Sequence, residues 1–184
     1  MQKRKILDGQ LLEITVARLT QEIIENHEGS QDTVILGLQP RGTILAERIR
    51  ASVEKQTGQD VPLGYLDITF YRDDFRTRRN PLSANQTKVP FSLENKQVIL
   101  VDDVLYTGRS TRAALDALLA FGRPKKVELL VLIDRKYVRD LPVEANYIGK
   151  QVNTIVSQHI DVQWVEDGAS EDAIWLFESK ETEQ

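Results

Sequence analysis

Three short, nearly unbroken apolar runs separated by helix-patterned stretches limit what this chain can fold into. The runs are Thr33 to Leu38, Gln97 to Val101 and Val127 to Ile133, each rich in Val, Ile and Leu and too short for a buried helix. Between and before them the period changes. Leu12, Val16, Leu19 and Ile23 recur at helical spacing over Gln10 to about Glu28, with Gly29 as a stop. Ile44, Leu45, Ile49 and Val53 mark a second helix ending before Gly58, and Thr111 to Phe121, almost all Ala and Leu, a third closed by Gly122-Arg-Pro124. Leu63 to Phe70 reads as a further strand, and Val162 to Val165 and Ala173 to Phe177 as short tail strands with no helix between them. Strands alternating with helices predict an α/β protein with a mostly parallel central sheet covered on both faces. Ligands of such sheets lie at the carboxyl ends of the strands. Three places follow: Gln39 to Gly42, Asp102 to Thr111, and Asp134 to Tyr137.

Composition narrows the chemistry. The 184 residues suit one domain, 1–184, with a core over about 30–135 and a hood built from the tail, about 136–184, together with the N-terminal segment. There is no cysteine, so disulfides, thiolate nucleophiles and Cys-based zinc sites are excluded, and the two histidines, His27 and His159, are read as surface residues. No dedicated metal site is expected. No apolar run reaches membrane-spanning length, and a cytoplasmic location is the expectation. A net charge of -4 argues against an obligate nucleic-acid binder. Charge is nevertheless uneven: Arg72, Arg76, Arg78 and Arg79 cluster in a polar stretch from Tyr71 to Pro90, while eight acids face only Lys180 from Asp161 onward. A basic cluster in an acidic chain points to a local anion site.

The sharpest pattern follows the Gln97 to Val101 run: Asp102-Asp103, then Val104-Leu-Tyr-Thr-Gly-Arg-Ser-Thr111, then the third helix. Thr107, Gly108, Ser110 and Thr111 form a small, hydroxyl-rich turn at a helix N-terminus, where unpaired N–H groups and the dipole favour a phosphate. The acid pair stands too far upstream to cap that helix and suits the vicinal hydroxyls of a sugar. Together they describe a ribose 5-phosphate site. Neither G-x-x-x-x-G-K-[ST] nor G-x-G-x-x-G is present.

Val98-Ile-Leu-Val-Asp-Asp-Val-Leu-Tyr-Thr-Gly-Arg109 resembles the 5-phosphoribosyl-1-pyrophosphate (PRPP) motif of type I phosphoribosyltransferases. The Leu105-Tyr106 pair is similar to that of one branch, the pyrimidine operon attenuation protein/uracil phosphoribosyltransferase family. Further segments support the branch: Leu36 to Gly42, Leu66 to Asp74, Phe121-Gly-Arg-Pro124 with Leu132-Ile-Asp-Arg135, and Leu141-Pro142 with Tyr147-Ile-Gly-Lys150. The resemblance spans about residues 5 to 165.

It implies the type I phosphoribosyltransferase fold, and specific roles. Asp102 and Asp103 would bind ribose hydroxyls, Thr107, Gly108, Arg109, Ser110 and Thr111 would cradle the 5′-phosphate, and Pro40, Arg41 and Gly42 would form the pyrophosphate loop. Arg72, Arg76, Arg78 and Arg79 would lie on a flexible loop closing over PRPP. Asp103, Arg41 and Arg72 are the implied catalytic groups, and Mg²⁺ would arrive with PRPP. Arg135 and the Ile160, Asp161 and Val162 segment are candidates for the base, with Trp164 and Trp175 as core of the hood. The partners are PRPP and uracil or UMP, in a homodimer or larger assembly. Activity on a purine or on orotate is disfavoured by Leu105-Tyr106. The alternative reading, a bifunctional pyrimidine operon regulator that binds mRNA in response to UMP, is disfavoured too: family positions usually hydroxyl, imidazole or basic hold Ala17, Gln21 and Asn26, and another basic position holds Glu144. Arg18, Arg139 and Lys150 remain as possible RNA contacts.

Overall fold

The computed structural model describes residues 3–27, 31–72, 86–155 and 157–178. Eight strands and three α-helices occur among them: β1 (Lys3–Leu7), α1 (Gly9–His27), β2 (Thr33–Leu38), α2 (Gly42–Thr57), β3 (Leu63–Leu66), β4 (Gln97–Leu105), α3 (Arg109–Leu118), β5 (Lys126–Lys136), β6 (Tyr147–Asn153), β7 (Gln158–Gln163) and β8 (Ala173–Glu178). The central sheet has the order β3-β2-β4-β5-β6 and is parallel throughout; a second sheet, β1-β8-β7, is antiparallel.

The apolar runs form strands because both faces of the central sheet are buried. Ile35, Ile99, Leu130 and Leu132 pack with α1 and α2, while their chain neighbours Leu36, Leu100, Leu129 and Val131 pack with α3. Continuous apolar sequence, rather than alternation, follows from that double cover. From β2 the chain crosses through α2 to β3, and from β4 it crosses through α3 to β5 in the other direction. The order therefore reverses between β2 and β4. That gap is the switch point at which open α/β sheets bind ligands.

Several boundaries differ from expectation. The strand expected over Leu63 to Phe70 stops at Leu66, because the Asp67 carboxylate accepts hydrogen bonds from the Thr69 amide (2.8 Å) and hydroxyl (2.6 Å) and turns the chain into a single 3-10 turn, Thr69–Tyr71. The strand expected to end at Val101 continues through the acid pair to Leu105, since β5 reaches Lys136 and pairs with it at Asp102↔Val131, Val104↔Ile133 and Leu105↔Asp134. Tyr147 to Asn153 belongs to the central sheet as its edge strand, so the sheet runs well past the expected core limit near 135. In the small sheet β7 starts earlier than the expected Val162 to Val165 strand and ends two residues into it, at Gln163; Trp164 leaves it and is buried. Trp175, expected in the core, is half-exposed beneath the ammonium groups of Lys3 and Lys5, 4.1 and 4.8 Å from its ring.

His27 also departs from its expected surface position. The last turn of α1 carries it inward, where its Nδ1 lies 2.9 Å from Thr33 Oγ1 and its Nε2 lies 2.8 Å from Glu128 Oε2 on β5. A buried carboxylate needs polar company, and His27, Tyr147 and Lys126 supply it. No helix among the described residues is long and apolar enough to cross a membrane.

Candidate active site

Parallel strands deliver their following loops to one edge. The Gln39–Gly42 turn follows β2, the acid pair lies in the last pleats of β4 before it ends at Leu105, and Arg72 follows the 3-10 turn after β3. Gly42 is what lets the first two meet. A Cβ there would lie 2.3 Å from the Val101 carbonyl oxygen and 3.1 Å from Asp102 Cα, so α2 could not start against β4 with any larger residue. The Gln39–Pro40 peptide is cis, and Thr43 donates a hydrogen bond from Oγ1 to the Pro40 carbonyl, 3.0 Å.

Asp102 and Asp103 fold onto their own backbone. The Asp103 amide donates to Asp102 Oδ1 (2.9 Å), and the Val104 amide donates to Asp103 Oδ1 (2.7 Å). Loss of surrounding water raises Asp102 well above the usual carboxylate range, the neighbouring Asp103 charge pushes the same way, and Arg72 opposes them. Burial also raises Asp103, against the charge of Arg41. Two carboxylates held close, flanked by one arginine each, form a site that gains when hydroxyl donors and cations arrive.

The Thr107 to Thr111 turn, expected to cradle a phosphate, stands next to them. Gly108 is left-handed (φ 89°) and caps α3, whose first turn has no side-chain cap. Arg72 donates from Nη1 to Ser110 Oγ, 3.0 Å, so the one expected loop arginine inside the described residues does reach this turn. Arg76, Arg78 and Arg79 lie outside the described residues. Thr107 and Ser110 are half-buried, Thr111 is buried and Arg109 exposed, its Nε donating to Asp140 Oδ2 at 3.1 Å. Exposed Arg41 points toward Asp161 of β7, 4.0 Å away, which brings the small sheet over the β2 loop as a hood.

The other candidates are placed differently. Arg135 is buried and donates to Thr154 Oγ1, the Ile155 carbonyl and the Gln158 carbonyl, with its guanidinium 3.9 Å from the Tyr106 ring. Burial lowers its pKa. It therefore fastens the hood to the β4 loop instead of presenting itself to a base. Ile160 and Val162 turn their side chains into the core, leaving Asp161 as the β7 residue nearest the crevice. Among the RNA candidates, Arg18 donates to the Ile148 and Gly149 carbonyls (3.1 and 2.6 Å) and to Glu22, and Arg139 is absorbed into backbone contacts. Arg18 nevertheless stays exposed, as does Lys150, 3.4 Å from the Ile6 carbonyl.

Sequence reasoning missed Arg48. From α2 it grips the hood: Nε and Nη2 donate to the two Glu166 carboxylate oxygens (2.8 and 2.6 Å), Nη1 donates to Asp172 (2.5 Å), and the guanidinium lies 4.4 Å from the Trp164 ring. Its helical position carried no signal of this, because all three partners are more than a hundred residues away.

A parallel sheet with its switch point beneath a hood, an acid pair and a glycine-capped helix start defines a phosphoribosyltransferase. The chain matches the phosphoribosyl transferase domain over residues 2–167. It is 44% identical over 170 residues to a bifunctional protein PyrR of Enterococcus faecalis, covering 92% of this chain and 94% of that one. A bifunctional protein PyrR of Pelotomaculum thermopropionicum is 44% identical over 181 residues, 98% of each chain. An HGPRT-ase of Leishmania tarentolae, solved in complex with GMP, shares the fold with a TM-score of 0.70 over 97% of this chain and 99% of that one, at 14% identity. The chain belongs to the PyrR family of type I phosphoribosyltransferases, the branch its sequence resembles.

Proposed function

We propose that this chain is a uracil phosphoribosyltransferase, forming UMP and pyrophosphate from uracil and PRPP. One observation carries the reading: the Asp102–Asp103 pair stands beside the Gly108-capped start of α3, with Arg41 and Arg72 on either side. Vicinal hydroxyls suit the carboxylates, a 5′-phosphate suits the helix start, and a pyrophosphate suits the arginines. Uracil is favoured over other bases by the likeness to the PyrR proteins.

In this reaction uracil N1 forms a bond to C1′ as the bond from C1′ to the pyrophosphate oxygen breaks. The electron pair leaves with pyrophosphate, and the N1 proton is lost to solvent. Positive charge builds on the ribose, where Asp103 stabilises it, while Arg41 and Arg72 face the leaving group. What the residues offer a hard cation is carboxylate oxygen at Asp102 and Asp103, which fits Mg²⁺ held mainly by PRPP and water. When bound, Mg²⁺ would neutralise charge on the pyrophosphate.

The reading includes a cytoplasmic protein that assembles as a homodimer or larger, as the family resemblance implies. Against tight RNA binding stand Arg18 and Arg139, which already bond groups of the chain itself; for it stands the likeness to proteins named bifunctional. The test is a radiolabelled assay offering PRPP with uracil, hypoxanthine, guanine and orotate in parallel. UMP from uracil alone is expected. Product from a purine base and none from uracil would overturn the base assignment.

A further inference from the structure

Behind the loop that follows β4 lies a strap, Arg139 to Val143, between β5 and β6. Besides the loop's backbone it touches one side chain of the cradle, Arg109, which donates from Nε to Asp140 Oδ2. The Arg139 guanidinium donates to the Leu105 carbonyl (3.2 Å) and to the Tyr106 carbonyl. The next carbonyl, Thr107, accepts from the amides of Asp140 (3.0 Å) and Leu141 (3.1 Å). Three successive carbonyls thus point back into the strap. A trans peptide sets each carbonyl opposite the following N–H. The amides of Tyr106, Thr107 and Gly108 must therefore point away from the strap, adding to the amides of the first turn of α3, of which that of Arg109 lies 3.4 Å from Thr107 Oγ1. A run of such amides is a concavity for an anion.

Arg139 is also held at its other side. It donates to the Asp134 carboxylate and to the Arg135 carbonyl (3.2 Å) at the end of β5, and from Nε to the Val143 carbonyl (3.1 Å) within the strap. Val143 in turn closes the back of Gly108: a Cβ on that glycine would lie 3.1 Å from Val143 Cγ2. One planar guanidinium thus joins β5, the strap and the loop, a spread of acceptors that a lysine ammonium cannot reach.

We propose that Arg139 is a positioning residue for PRPP: by gathering the Leu105 and Tyr106 carbonyls behind the loop it aims the loop amides at the 5′-phosphate. The proposal rests on the reading of Thr107 to Thr111 as the PRPP cradle. It assigns Arg139, a half-buried side chain, a part in substrate binding within the chain.

The test is steady-state kinetics of UMP formation by the full chain carrying Arg139→Lys or Arg139→Ala, with thermal unfolding recorded for each. Arg139→Lys keeps the charge and stem, and the KM for PRPP should rise roughly tenfold while kcat and the KM for uracil change less than about twofold, the mark of lost ground-state positioning. Added guanidinium should lower the raised KM of Arg139→Ala. If that variant does not fold, Arg139→Lys decides alone. An unchanged KM for PRPP in an active Arg139→Lys, or losses in kcat and in both KM values that track unfolding, would overturn the positioning role and leave the cradle reading standing. Failure of the wild-type chain to bind PRPP in calorimetry would overturn both.

Discussion

Replacing Arg48 by alanine should loosen the hood from α2 by an amount the geometry allows one to work out. Its pair with Glu166 is bidentate, but the Glu166 side chain is 46% exposed, so about 0.5–1 kcal/mol is reasonable. The bond to Asp172, a side chain only 18% exposed, contributes about 1.5 kcal/mol as a charged hydrogen bond in partly dry surroundings. Stacking on the Trp164 ring adds about 0.5–1 kcal/mol. The total is about 3 kcal/mol, equivalent to roughly 6–12 °C in Tm for a domain of this length. Arg48→Lys should fall between, since an ammonium cannot bridge both carboxylates. pH gives a second handle. The hydrogen bond from Arg48 holds Glu166 below its ordinary value; burial alone would raise Asp172, but Arg48 and the Val165 amide hold it low as well. A carboxylate depressed on folding adds stability that is present above its unfolded pKa and lost as pH falls through the folded value. The gap between wild type and Arg48→Ala should therefore narrow as pH drops below about 4. Circular dichroism melts at pH 7 and at acid pH measure both. A Tm shift under about 2 °C at pH 7, well below the roughly 3 kcal/mol equivalent, would refute the reasoning.

Other outcomes follow from the site. Asp103→Asn should retain the fold and lose most UMP formation, because a neutral amide cannot stabilise a cationic sugar; near wild-type turnover would remove Asp103 from that role. The raised pKa of the Asp102–Asp103 pair means that the ionised, active form is lost as pH falls through a value above the ordinary carboxylate range, so kcat/KM for PRPP should decline on the acid side earlier than free aspartate would dictate. Asp102→Asn removes one of two crowded charges and should move that decline to lower pH; an unmoved acid limb would argue against the coupling. In gel-shift experiments with a stem-loop from the leader of the chain's own operon, binding should be weak and should fall further with salt. Tight binding strengthened by UMP would restore the RNA-regulator reading.

Much of this molecule is local information. Runs such as Gln97 to Val101 can only be buried strands, and Asp102-Asp103 followed by a hydroxyl-rich turn at Gly108 carries its chemistry wherever the rest of the chain lies. Adjacent residues share a site because the backbone makes them neighbours, so the α/β class, the acid pair and the phosphate-like turn were legible from sequence. What tertiary structure decided is how long side chains are used. Arg48, Arg135 and Arg139 look alike in sequence, yet one clamps the hood, one bridges it to Tyr106 and one turns carbonyls behind the β4 loop. His27 goes inward because Glu128, about a hundred residues on, ends up beside the last turn of α1. Tyr147 to Asn153 is a strand because β5 offers it an open edge. An arginine or histidine has no preference for one partner until packing places acceptors within reach and removes water from them.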